Sequence, residues 1–144
     1  MEKAYHALLP GAIFFGAAAD IPQIAEQEGI EVVVDLREES TGCAADHAHL
    51  QWVKVGLGDH AETPEVEGFR VAIDAVVAAY RAGRKVAFHC GGGRGRTGAV
   101  ATGVLLALGQ CRTVAEAEAK AQAIRPQINL KANQRAALLA LYPN

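Results

Sequence analysis

Apolar positions along this chain follow two rhythms, and their alternation predicts an architecture before any chemistry is considered. Ile30 to Leu36 is a nearly unbroken β-branched run, the pattern of a buried strand. Lys85 to His89 reads as a second strand, Gln51 to Val55 alternates well enough for a third, and Ala12 to Phe15 forms a short one after a turn at Pro10-Gly11. Helical spacing falls between them. Asp20 caps a short helix with Pro22 in its first turn and Gly29 at its end. Phe69, Ile73, Val76, Val77 and Tyr80 recur on one face of a longer helix. Thr63-Pro64 starts that helix, Glu65 and Glu67 complement its dipole, and it runs to about Arg81, ahead of Gly83. Thr97 to Leu108 is an apolar helix of small residues. Thr113 and Glu116 make a capping box for a helix to about Ile124, Pro126 ends it, and Lys131 to Tyr142 is the last helix. Arg37 to His49 and Gly56 to Thr63 are polar, glycine-containing connections.

Strands alternating with helices predict an α/β fold, a central and largely parallel sheet flanked by helices. The 144 residues suit one domain spanning 1–144, and an apolar content of 51% is enough for a sizeable core. The net charge of −2, with both signs dispersed, lacks the basic footprint of a nucleic-acid binder. No apolar run is long enough for a membrane span. The apolar stretch Ala7 to Ala19 is broken by Pro10, Gly11 and Gly16, which favours a turn and strand over a signal peptide. Three cysteines, Cys43, Cys90 and Cys111, form no paired framework, so a reduced, cytoplasmic protein is expected. No C-x-x-C or H-x-x-x-H spacing marks a zinc site.

The chemistry concentrates in His89-Cys90-Gly91-Gly92-Gly93-Arg94-Gly95-Arg96-Thr97-Gly98, between a hydrophobic strand and an apolar helix. A strand-loop-helix unit aims the N–H groups of the helix start at whatever occupies the loop. Glycines at 91, 92, 93 and 95 let the backbone turn inward, so that the N–H groups of the loop, Arg94 included, form a nest for one tetrahedral anion. Cys90 enters this nest from the strand end, where the same donors stabilise a thiolate. Arg96 can bind two phosphate oxygens in a fork. Thr97 can donate its hydroxyl to the sulfur, and His89 can brace the loop through its ring nitrogens.

This H-C-x5-R-T-G loop resembles the signature of the protein-tyrosine phosphatase superfamily, in particular its small dual-specificity branch. The resemblance extends to Pro10–Gly16, to Gly29–Glu38, and to Arg125-Pro126 with Asn129 and Asn133-Gln134. The segment Glu38 to Leu50 matches no feature of the family. The resemblance implies a general acid on a loop roughly thirty residues before the cysteine. Asp59 stands 31 residues before Cys90 and follows a strand, which puts it on the same sheet edge as the cradle. Glu62 is the second choice for that acid, and His60 reads as a surface residue. Gln134 resembles the glutamine that places the hydrolytic water in some members, and Arg37 matches a structural strand end.

Together these readings describe a phosphomonoesterase acting on phosphotyrosine, phosphoserine or phosphothreonine. Cys90 attacks phosphorus, Asp59 protonates the leaving oxygen, and a phosphocysteine is then hydrolysed, with no metal or organic cofactor. The expected partner is a phosphorylated protein or a small phosphorylated metabolite, and a phosphoinositide or inositol phosphate is an alternative substrate. Arg94 could hold a second phosphate or only raise the local potential. A rhodanese-like sulfurtransferase, whose loops commonly hold four residues before the closing basic position, and an idle phosphate-binding module fit less well. Cys43 could pair with Cys90 under oxidation but reads as an incidental loop thiol, and Cys111 as helix-end filler.

Overall fold

The computed structural model describes residues 5–45, 50–58 and 64–143. Its strands are β1 (His6–Leu9), β2 (Ile13–Ala17), β3 (Val32–Arg37), β4 (Gln51–Leu57) and β5 (Val86–Cys90). Its helices are α1 (Ile21–Glu28), α2 (Val66–Arg81), α3 (Arg96–Ala107), α4 (Val114–Ile124) and α5 (Ala132–Leu141), with a 3-10 turn at Ala18–Asp20. The strands form one sheet in the order β1-β2-β5-β3-β4. Only β1 is antiparallel to its neighbour, so the fold is the α/β, largely parallel arrangement read from the sequence.

Pleating sorts the side chains of this sheet into two cores. Val32, Val34, Phe88 and Cys90 join the larger core with residues of α2, α3, α4 and α5. Val33 and Ala87 join a smaller core with Ile21, Ile24 and Ala25 of α1. Because β5 lies between β2 and β3, its C-terminal end opens at the centre of the sheet edge. Alternation along β5 then turns Cys90 toward the α3 side and His89 toward the α1 side. The crevice at the carboxyl ends of parallel strands is where such a residue meets a ligand.

Four local expectations need correction. First, β1 was not expected: a short edge strand with one buried residue in four has little hydrophobic signal of its own and exists because β2 offers it a ladder. The strand following it is Ile13–Ala17, not Ala12–Phe15. Second, Asp20 does not cap α1 through its side chain. Its carboxylate accepts from Ala17 N at 2.8 Å instead, because the 3-10 turn intervenes. Third, α3 begins at Arg96 rather than Thr97. Pro22 and Gly29 occupy their expected places, Gly29 with φ 66°, and Thr113 Oγ1 accepts from Glu116 N at 3.2 Å. Fourth, Thr63 lies outside the described residues, but α2 begins at Val66 with Glu65 in the N-cap position, so Pro64 precedes the helix and is not its first residue.

Candidate active site

Cys90 is 2% exposed and sits at the mouth of α3. Two donors converge on its sulfur, Thr97 Oγ1 at 3.0 Å and Gly93 N at 3.3 Å. In both contacts the sulfur is the acceptor.

The loop that follows is tied from outside through its carbonyls. His89 Nδ1 lies 3.0 Å from Cys90 O. Ala18 N donates to Gly91 O at 3.1 Å, Arg125 Nε to Gly93 O at 2.9 Å, and Asn129 N to Arg94 O at 3.2 Å. A trans peptide is planar, with its C=O and N–H pointing in opposite directions. Each outward carbonyl therefore aims the next N–H inward, at residues Gly91, Gly92, Arg94 and Gly95. Four tethers, from β5, the 3-10 turn and the segment between α4 and α5, thus hold the carbonyls of the loop. Gly95, at the N-terminus of α3, has no side-chain cap, so the helix dipole faces the same space.

The four glycines are not equivalent. Only Gly93 has a positive φ, 69°, and a Cβ there would lie 2.6 Å from Arg125 Nη2. A Cβ on Gly95 would lie 2.9 Å from Gln134 Oε1, whereas Gly92 has open space around it. Glycine is thus demanded at 93 by conformation and by the Gly16 backbone, whereas a side chain at 95 would have to displace the end of the Gln134 side chain.

Arg96 is 3% exposed. Its Nη1 donates to Leu57 O at 2.9 Å and to Glu39 Oε1 at 2.9 Å, and Nη2 donates to Glu39 Oε2 at 3.1 Å. The hydrogen bonds from Arg96 hold the Glu39 carboxyl down at about 2. A carboxylate so held has no proton to give at neutral pH. Glu39 therefore meets the Arg96 guanidinium as a carboxylate. Sequence reading missed it, because the segment from Glu38 to Leu50 offered no motif; a carboxylate just beyond the end of β3 was the only signal.

On the opposite face of the sheet, Asp35 is fully buried and pairs in register with His89. Its carboxylate accepts from Arg37 N at 3.1 Å, Arg37 Nε at 3.0 Å, Arg37 Nη2 at 2.9 Å and Trp52 Nε1 at 3.0 Å. Burial alone would raise its pKa, but these donors outweigh that and bring it to about 2. Arg37 therefore has the structural place expected of it. Asp35 Oδ1 lies 3.8 Å from His89 Nε2. Burial pushes the His89 pKa below the ordinary histidine value, against the Cys90 carbonyl and Asp35, which raise it. Since a carbonyl only accepts, the neutral ring carries its proton on Nδ1.

Gln134, on α5, is 2% exposed and lies against Gly95. Its Oε1 accepts from Lys131 N at 2.9 Å, and its buried Nε2 has no hydrogen-bond partner among the described residues. The side chain of Arg94, within the loop, is exposed. Cys43, half-buried, packs against the α1-side core, whereas Cys90 belongs to the other core; both are free thiols. Cys111 is buried in the larger core. Asp59, His60 and Glu62 lie outside the described residues.

The family model described as "Polymorphic toxin system, DSP-PTPase phosphatase" matches residues 13–110. The chain belongs to that family and so is a small dual-specificity-like member of the protein-tyrosine phosphatase superfamily. Among solved structures, a mouse putative dual specificity phosphatase complexed with zinc tungstate superposes with a TM-score of 0.84 at 20% identity, covering 99% of this chain and 88% of its own. Human DUSP28 gives 0.83 at 19% identity, covering 99% and 95%. PTPMT1 in complex with PI(5)P gives 0.81 at 17%, covering 97% and 95%. At these identities the likeness is one of fold. A search of curated protein sequences returns no match. No helix among the described residues is long and apolar enough to cross a membrane.

Proposed function

We propose that residues 1–144 form a single catalytic domain that hydrolyses phosphate monoesters of proteins, phosphotyrosine foremost with phosphoserine and phosphothreonine, through a phosphocysteine. The carrying observation is the convergence on Cys90 Sγ of Thr97 and Gly93, inside a loop whose carbonyls are all drawn outward where they are tethered. In this reading Cys90 attacks phosphorus in line. The inward N–H groups of Gly91, Gly92, Arg94 and Gly95 hold the equatorial oxygens together with the Nε–Nη2 edge of Arg96, since Glu39 takes the Nη1–Nη2 edge. Asp59 protonates the leaving oxygen and then, as a base, accepts a proton from the water that cleaves the phosphocysteine. Gln134 Nε2, buried beside Gly95, orients that water. Phosphate and the dephosphorylated alcohol or phenol leave, and the thiolate returns. The three free thiols suit a reducing compartment such as the cytoplasm.

One observation favours a second substrate class. Arg94 is exposed beside the cradle, where its fork suits a second phosphate, and one structural neighbour was solved with PI(5)P. A phosphoinositide or inositol phosphate is that alternative. Phosphate release from a simple aryl phosphate tests the common chemistry. Wild-type turnover lost in Cys90→Ser, with inorganic phosphate still bound, is the expected result. Release by Cys90→Ser near the wild-type rate would refute the mechanism.

A further inference from the structure

Arg125 lies 35 residues beyond Cys90, and the reaction just described gives it no part. Yet it is only 3% exposed, and burying a guanidinium is costly unless its donors are used. Its Nε donates to Gly93 O at 2.9 Å. Its Nη1 lies 3.2 Å from His6 Nδ1 on β1, a contact in which the ring nitrogen accepts. A Cβ on Gly93 would stand 2.6 Å from its Nη2 and 2.8 Å from backbone atoms of Gly16, so the guanidinium packs directly against the loop backbone. The guanidinium is therefore wedged between β1, β2 and the loop. It fixes both the position and the tilt of the Gly93–Arg94 peptide. Burial works against its charge, while Asp20 and Cys90 favour it.

We infer that Arg125 is a positioning residue for the anion cradle: by gripping Gly93 O from behind, it holds the Arg94 N–H aimed at the bound phosphoryl group. The inference rests on the phosphatase reading for its substrate, but its physical content is oxyanion binding. The shape of the side chain matters as well as its charge. A guanidinium reaches Gly93 O and His6 at once in a fixed plane, whereas a lysine brings one point charge on a flexible stem. His6 acts as the far brace. The segment carrying Arg125 also carries Asn129, whose N–H ties Arg94 O, so one stretch of chain orients both peptides flanking Arg94.

The test is Arg125→Lys, which keeps the charge and loses the fork. Inorganic phosphate is titrated as protection of Cys90 against iodoacetamide, read by mass spectrometry of the Cys90 peptide, alongside the Arg94 amide resonance. Loss of one well-aimed hydrogen bond to an anion should weaken phosphate binding roughly tenfold. The phosphate-induced shift of the Arg94 amide should shrink while the shifts of Gly91 and Gly92 persist. Protection equal to wild type within twofold, absent from the wild type, or reduced only in proportion to an unfolded fraction would overturn the inference. Wild-type protein that binds phosphate but releases none from an aryl phosphate would sink the hydrolytic reading and leave the cradle measurement standing.

Discussion

Replacing Glu39 with glutamine isolates the part of the site that sequence reading missed. The change keeps size and one acceptor but removes the charge that grips Arg96 on two nitrogens. Taken at face value, a carboxyl moved from 4.5 to about 2 corresponds to about 3 kcal/mol. The Glu39 side chain is 56% exposed, however, against 3% for Arg96, so solvent screens much of that. A figure of about 1–2 kcal/mol is the defensible one for a bidentate pair with one buried partner. If Arg96 must be prealigned for the transition state, that loss appears in kcat as a drop of about 5–30-fold. KM should stay level or fall, because removing a carboxylate beside the cradle removes a rival of the incoming anion. The sign with pH is equally specific. The folded pKa is depressed, so the contribution of Glu39 is complete above 4.5 and is lost only as pH falls toward about 2. Steady-state kinetics on an aryl phosphate between pH 6 and 8 should therefore show a uniform loss with no displaced inflection. A variant with kcat within twofold of wild type would refute the claim that Glu39 positions Arg96. Loss in the variant of an inflection that wild type shows in that range would mean that Glu39 takes part in proton transfer.

Asp59→Asn should lower kcat by roughly 10²–10⁴, the usual scale of general acid catalysis, with less loss for leaving groups that need little protonation. Were it neutral on a phosphotyrosine peptide while Glu62→Gln was crippled, the acid would be Glu62. Arg94→Ala should raise KM for a multiply phosphorylated inositol or a doubly phosphorylated peptide and spare a neutral-flanked aryl phosphate. Equal small effects on both would leave only a general electrostatic role. Asp35, fully buried, has its carboxyl lowered from 3.8 to about 2, worth about 2 kcal/mol of stability that is complete above pH 3.8 and lost as pH falls through 2. Urea unfolding across that range should be steeper in pH for wild type than for Asp35→Asn, and identical slopes would disprove the assignment.

The local elements were legible because each has its own short-range cause. A β-branched run makes β3, a stop glycine ends α1, and a threonine oxygen meets the first N–H groups of α4. The H-C-x5-R-T-G loop was legible for the same reason: cysteine, glycines and guanidinium lie within seven residues of one turn, Cys90 to Arg96. What joins that loop to the rest of the molecule was not. The Glu39–Arg96 pair spans 57 residues and the Arg125–Gly93 bond spans 32. Asp35 meets His89 only because β3 and β5 are neighbours in the sheet. Such contacts depend on strand order and register, which no local pattern encodes. A charged residue in a polar loop looks the same in sequence whether solvent or a buried guanidinium receives it. The sequence therefore determined the local elements and the make-up of the loop from His89 to Gly98. The tertiary structure decided which way each loop peptide faces, because a peptide turns its N–H inward only when something outside the loop holds its carbonyl.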